Sequence, residues 1–507
     1  MSNHQAEDAQ ELARFGYKQE LDRRTGKFAS FAVAFAFVSI ATGIFTTYGA
    51  VLNSSGPMGI WTWPIATIGQ LAVAFLLGAL AARIPVTGYH YQWCSRLANP
   101  VLGWILGWIS FTFLAIVVVA VDYTVASTVF PVLFDFEGTA NNCWVVTGLI
   151  ILAQAVLIAL STRATEGVNN TAVSLELIGM TALTVLLFIV AAFRGQTDFS
   201  NLTSKGLVPS DGYWNFGDLT SAGPWMLGFL LGAFTIVGFE SAANLAEETN
   251  DPETVVPRAM WQAVAASGGL GFLFILAVTL AIKDPVALAQ SGTPIADVIE
   301  ATLGAVVSKL LLLLVSIAIF ACGLVIMLTG VRLTWAMSRD QRFPGWQLLH
   351  RIDHRYRTPL LATVFFMVLA QAVLAIFSQN QDVLFTLFGA ATLLPAIMYA
   401  STTTLYIVKR KSLPKSDKFD LGRWEMPLIV VAVVWLVFEL LLFRDSSFAD
   451  AWKYVLVMMA IGAVYLCFLL ATRGVRGLGM PDMHSIDSEL DAVSGVDPAT
   501  GPELSAG

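Results

Sequence analysis

Apolar residues gather along this chain in long runs separated by short polar stretches. The runs lie near 28–52, 60–82, 101–130, 143–161, 171–193, 223–244, 260–282, 304–331, 360–377, 383–407, 427–443 and 452–471. A helix of about 20 apolar residues crosses a bilayer, so the pattern predicts twelve transmembrane helices. The first run, FASFAVAFAFVSIATGIFTTYGAVL, has no charge from Phe28 to Leu52, yet its centre holds Ser39, Thr42, Gly43, Thr46, Thr47 and Gly49. Such residues weaken a helix and offer oxygens, and lipid tolerates them only where the segment faces protein or water. In the sixth, GPWMLGFLLGAFTIVGFESAANLAEE, Gly228, Gly232 and Gly238 interrupt an apolar helix and Glu240 follows at once. Two glycine-interrupted spans, first and sixth in order, predict a five-plus-five inverted repeat with two open helices facing each other at mid-membrane. The first repeat would cover 28–193 and the second 223–407, with two extra C-terminal helices over 427–471. A break near Thr42 and another near Val237 would free amides for a carboxylate and carbonyls for a cation. The other reading of the glycines is helix packing by small residues, as between Gly103 and Gly107.

Composition agrees with an all-α polytopic membrane protein. Of 507 residues, 56% are hydrophobic and 13% charged, with a mean hydropathy of +0.70, where soluble domains have about 25% charged residues. With the amino terminus inside, 23 of the 29 Lys and Arg fall on one side, which predicts both termini in the cytoplasm and a multi-pass location in the plasma (cytoplasmic) membrane. EETNDPE at 247–253 is acidic on that side, a departure the rule tolerates. Residues 1–27 read as a cytoplasmic amphipathic segment, too long and polar for a signal peptide. Residues 472–507, rich in Asp, Glu, Gly, Ser and Pro, read as a disordered cytoplasmic tail. By position, Trp61, Trp63, Trp104, Trp108 and Trp225 resemble interface anchors. The loop 332–358 carries a basic and acidic run whose exposed charges would hold an inner gate through several weak pairs.

Four acids fall in or near the spans: Asp122, Glu176, Glu240 and Glu439. Each costs roughly 2.5–3.5 kcal/mol at bilayer depth, so each needs water, a proton, a cation or a partner. Asp122 and Glu176 also fit a role as hydrogen-bonders within the bundle, and Glu439 fits a packing or subunit contact. Glu240 is the strongest functional candidate because it follows the second break. No nucleophile stands with an acid and base in a local frame, and His4, His90, His350, His354 and His484 all lie outside the spans, which disfavours an enzyme. The four cysteines have no metal-ligand spacing, so neither metal nor cofactor is expected, and no feature points to nucleic acid.

Several motifs, in shared order over about 330 residues, resemble the amino acid, polyamine and organocation transporter superfamily, and most closely its amino acid and choline transporter family. They are FGYKQELDR at 16–24, SIATGIF at 39–45, WPIATIGQLAVAFLLGALAARIPVTGYHYQWCSRL at 63–97, GFE at 238–240, AEETNDPETVVPRAM at 246–260 and VRLTWAMSRDQRFPG at 331–345. SIATGIF is more hydroxylated and less glycine-dense than the commonest form of its motif. The resemblance implies substrate held between spans one, three, six, eight and ten. It also implies that Ser39, Ala41, Thr42, Gly43 and Ile44 line an amino or carboxylate subsite opposite Phe234, Ile236, Gly238 and Glu240. Glu247, Arg258, Arg332 and Arg339 are then gating or folding contacts.

The expected activity is secondary transport of an amino acid or small organic amine by alternating access. An amino acid would set its carboxylate on amides of the first break, whereas a choline-like amine would turn to Asp122, Tyr123, Phe234 and Phe239. Desolvated Glu176 or Glu240 would take a proton. The sparse hydroxyls of span eight, Ser316 and Thr329, tilt the reading from sodium toward H+. Alternatives are a quaternary-amine or GABA permease using sodium, exchange or facilitated transport, and a transport-dead sensor or scaffold. A channel lacks the polar stripe it would need, and oligomeric state does not follow from the residues.

Overall fold

The computed structural model describes residues 12–353, 357–377, 381–413, 416–475 and 478, with the backbone alone at 377 and 381–392. Residues 1–11 of the amphipathic segment, His354, and the tail residues beyond 478, His484 among them, lie outside the described residues. Among those described, nine helices are long and apolar enough to cross a membrane, and Pro224–Thr235 and Leu360–Ile376 are shorter apolar helices. The chain is thus a helical, multi-pass membrane protein. Among the described residues the one β contact is an isolated bridge from Thr25 to Thr249.

The longer helices are α1 (Lys27–Val38), α2 (Ile40–Ser55), α3 (Thr62–Ala81), α4 (Tyr89–Leu97), α5 (Pro100–Thr124), α6 (Ala140–Leu160) and α7 (Thr162–Phe193). After a crossing interrupted in its middle, where α8 (Leu230–Thr235) and α9 (Ser241–Asn244) are the pieces, follow α10 (Pro252–Leu280) and α11 (Ala305–Arg339). The chain continues through α12 (Leu360–Phe377), α13 (Gln381–Lys409), α14 (Glu425–Leu442) and α15 (Ala449–Arg473). Prolines at the first helical positions of α5 and α10 start those helices where a missing N–H costs nothing. In the interior α11 packs on α5 and α7, α10 on α1 and α3, and α14 covers α3.

Both expected interruptions are present, and the first is shifted. It falls at Ser39, with φ 30° and ψ 98°, rather than at Thr42. The Ser39 N–H closes α1 on Phe35 O at 2.8 Å, its C=O accepts the Gly43 N–H at 3.0 Å, and its hydroxyl caps the Thr42 N–H at 3.3 Å. Serine serves here as both hinge and N-cap, so Gly43 remains helical and its missing side chain serves another end. A Cβ there would overlap the Thr235 side chain of α8. The second break runs from Ile236 to Glu240, with Gly238 at φ 81° pressed against the Phe37 ring. Each broken helix therefore closes on the other, α2 against α8 and α1 against α9.

Three expectations change. First, residues 332–339 are not loop: α11 continues to Arg339, which buries Arg332 and the residues around it. Second, the stretch between α3 and α5 contains α4, in which eight of nine residues are buried, His90 among them. Third, Trp63, Trp104 and Trp108 are core residues whose indole N–H groups donate to Gly268 O, Arg342 O and Met458 O at 2.8–2.9 Å. A tryptophan in an apolar run satisfies its N–H on a neighbouring helix as readily as at a membrane surface, and Trp61 alone of these four is exposed.

Candidate functional site

Between the two interruptions lies a small cavity of about 30 Å³. Thr42 and Gly43 of α2 and Phe37 and Val38 of α1 form one wall, Phe234, Thr235 and Val237 the opposite one. Phe113, Val117 and Val121 of α5 and Cys322 and Ile326 of α11 close the sides. A space of that size holds a water or two, less than the volume of an amino acid. Its lining is aromatic and aliphatic, with Phe37 and Phe113 stacked at 6.1 Å between centroids, and with hydroxyls only from the two threonines.

Beside the cavity, Glu176 of α7 reaches the start of α2. Its Oε1 accepts the Ala41 N–H at 3.0 Å and the Ser39 hydroxyl at 3.2 Å, and all three residues are buried. An N-terminal amide freed by a helix break attracts a carboxylate through unpaired N–H groups and the positive end of the helix. Here a side chain of the protein provides that carboxylate. Ser39 and Ala41 thus face Glu176, whereas Thr42, Gly43 and Phe234 face the cavity. Ile44 and Ile236 are buried without lining it.

Glu240 has partners that the sequence reading missed. Its Oε2 accepts the Tyr399 hydroxyl of α13 at 2.7 Å, and Tyr399 in turn accepts the Gly238 N–H at 2.8 Å. Its Oε1 stands 3.6 Å from His90 Nε2. The other ring nitrogen, Nδ1, bonds the Thr402 hydroxyl at 2.8 Å, and Phe239 stacks on Tyr399 at 5.3 Å, away from the cavity. His90, Tyr399 and Thr402 are fully buried. The only trace of His90 in the sequence was its place among aromatics in GYHYQW, and polar flanks made that segment read as a loop.

Asp122 does not face the cavity. Its Oδ1 accepts the Gln154 amide of α6 at 2.9 Å, and the pair rests on Gly323, where a Cβ would overlap it. Five π-helical residues, Val125–Val129, follow it. Glu439 of α14 is likewise held by a neighbour, the Gln70 amide of α3, at 3.2 Å.

On the basic side the expected weak, exposed pairs are instead buried ones. Arg339 makes a fork to Glu247, at 2.8 and 3.0 Å, and Glu247 also accepts the Thr87 N–H at 3.1 Å. Arg332 forks onto Glu248, with its second bond at 3.1 Å. Both acids and Arg332 are at most 2% exposed, because α11 extends one helical turn and more under the segment that follows α9. Arg258 is exposed. The N-terminal segment straps this layer. Tyr17 donates to Asp340 at 2.9 Å under the Arg339 guanidinium, Gln19 donates to Glu247 O at 2.8 Å, and Arg23 to Thr249 O at 3.0 Å. Burial, and then the Asp340 carboxylate, push the Tyr17 hydroxyl above its usual range, so it remains a donor.

A family model described as amino acid permease matches residues 26–471. The chain is 28% identical to the amino-acid permease BAT1 of Arabidopsis thaliana, with 84% of this chain and 86% of that one aligned. It is 25% identical to the BAT1 homolog of Oryza sativa subsp. japonica over 90% and 92% of the two chains. Against the GABA-specific permease of Saccharomyces cerevisiae the identity is 25%, over 83% of this chain and 75% of the relative. The chain belongs to the amino acid permease family, within the amino acid, polyamine and organocation superfamily, and is a multi-pass membrane transporter rather than an enzyme.

Proposed function

We propose that this protein carries an amino acid across the plasma (cytoplasmic) membrane by alternating access, driven by protons. The observation behind this reading is the Glu176 carboxylate seated on the Ala41 amide and Ser39 hydroxyl, next to a small cavity between two broken helices. That seat suits any carboxylate. Protonation removes the charge that holds Glu176 there, and the substrate carboxylate takes the amides in its place, so proton and solute load together. The substrate ammonium would rest on carbonyls freed between Ile236 and Gly238, with Phe37, Phe113 and Phe234 around its carbon skeleton. The relatives' names, amino-acid permease and GABA-specific permease, favour a solute with both charges. A quaternary amine would want Asp122, which is turned away.

Sodium is disfavoured by oxygen supply. A hard cation needs several fixed oxygens, but Ser316 and Thr329 of α11 turn onto carbonyls of their own helix, and the α11 side chain bonded to the end of α1 is the Cys322 thiol. Twelve crossings follow if the interrupted helix 224–244, α12 and α13 are added to the nine long apolar helices. The repeats would then be 28–193 and 223–407, with α14 and α15 appended and both termini in the cytoplasm. In that frame the Arg332–Glu248 and Arg339–Glu247 pairs close the cytoplasmic gate and part once per cycle.

The test is uptake by proteoliposomes. Labelled alanine and GABA should accumulate with an inward proton gradient and not with a sodium gradient alone, with unlabelled amino acids competing better than choline or a polyamine. In Glu176→Gln, gradient-driven accumulation should fall about tenfold or more. Sodium-dependent uptake indifferent to pH would reject the coupling, and choline as the best competitor would reject the substrate class.

A further inference from the structure

We propose that His90 and Glu240 form one proton-exchanging pair, and that Tyr399 ties its charge state to the second helix break. The inference rests on the proton-driven reading above and adds a site in α4 that the coupling requires.

The two groups stand at ion-pair distance, a few tenths of an ångström beyond a hydrogen bond, so a proton passes between them only as they close. His90 Nε2 and Glu240 Oε1 face each other at 3.6 Å. Nε2 is buried and has no hydrogen-bond partner among the described residues. The opposite nitrogen is engaged by Thr402, which fixes the ring. With the Nδ1 proton donated to Thr402, a bare Nε2 lone pair would face the ionised carboxylate, an unfavourable arrangement for two buried groups. One proton on the pair removes the conflict: it sits on Glu240 with a neutral imidazole, or on Nε2 with the carboxylate ionised. Transfer from Oε1 to Nε2 breaks one O–H bond and forms one N–H bond, and no other group changes.

That transfer is felt at the break. Tyr399 donates to Glu240 and accepts from the Gly238 N–H, so the strength of the first bond sets the electron density available to the second. Gly238 is the φ 81° residue next to Val237, which lines the cavity. A proton arriving at Glu240 weakens Tyr399's hold on the break, and its departure restores it.

Other ionisable groups face this pair from each side. Tyr89 of α4 lies against His90 at 4.9 Å, and Cys94, also of α4, reaches Thr402 at 3.5 Å. Glu439 lies on α14, which packs against α13, the helix of Tyr399. Beyond α9 stand the Glu247–Arg339 and Glu248–Arg332 pairs, in which each acid already has a guanidinium. Glu240 has none, and His90 is the one nitrogen base within ion-pair distance of it among the described residues.

Two measurements on the full-length protein in proteoliposomes separate this role from a structural one. One is proton entry per alanine, read with an internal pH dye, and the other is alanine counterflow at equal pH on both sides. In His90→Gln, which keeps a group able to bond Thr402, proton entry and pH-driven accumulation are expected to fall about tenfold while counterflow stays within about threefold of wild type. Thr402→Val, which leaves the imidazole but frees its ring, should give the same pattern in weaker form. Wild-type proton entry in His90→Gln overturns the proposal. Equal loss of counterflow and proton entry in both variants overturns it too, since it marks a packing role. Wild-type protein that exchanges alanine without any proton would instead fail the coupling reading itself.

Discussion

Gly238→Ala is expected to abolish uptake while the protein still inserts in the membrane. At φ 81° an alanine pays about 1–2 kcal/mol for the left-handed conformation alone. The new methyl would also overlap the Phe37 ring, which is stacked on Phe113. Relief requires Phe37 to leave the cavity wall or the break to straighten, and either outcome removes the site. Pairing Gly238→Ala with Phe37→Leu should recover part of the thermal stability in detergent and little of the uptake, since the backbone cost remains. Uptake of Gly238→Ala at the wild-type rate would mean that the conformation at this residue does not matter for transport.

Arg332→Met should be the most destabilising of single charge removals in this buried layer of ion pairs. It strands the Glu248 carboxylate, 2% exposed, with no guanidinium beside it. Deleting one partner of a buried pair costs about 3–5 kcal/mol, whereas replacing both by apolar residues is often neutral. The double variant Arg332→Met with Glu248→Met should therefore melt near wild type in a detergent thermal-shift assay while the single variant melts far lower. If the pair forms the proposed gate, transport would still fall in the double variant, because apolar contact cannot part and re-form as a charge pair does. Equal melting of single and double variants would show that the pair contributes nothing as a pair.

The hydrophobic pattern located the long spans and both interruptions from the sequence, because a helix in lipid must be apolar over a fixed length and any glycine or hydroxyl cluster inside it stands out. It also singled out Glu176 and Glu240, since a carboxylate in such a run is costly wherever it points. The same pattern placed the first break three residues late, because it weighted Gly43 for flexibility where Ser39 supplies the hinge and Gly43 only makes room for Thr235. It ended α11 at the last apolar residue, although the helix carries its arginines onward into buried pairs.

What tertiary structure alone decided is which group each charge meets. Apolar spans are so uniform around their circumference that sequence gives depth along the membrane normal and no direction around the helix axis. Nothing in the run around Asp122 turns it toward Gln154 and away from the cavity, and nothing near His90 announces that a short polar helix folds under Glu240. Chain position set where the backbone had to open. The packing of distant helices set whose carboxylate fills the opening, because hydrogen bonds act over about 3 Å while their partners lie more than a hundred residues apart.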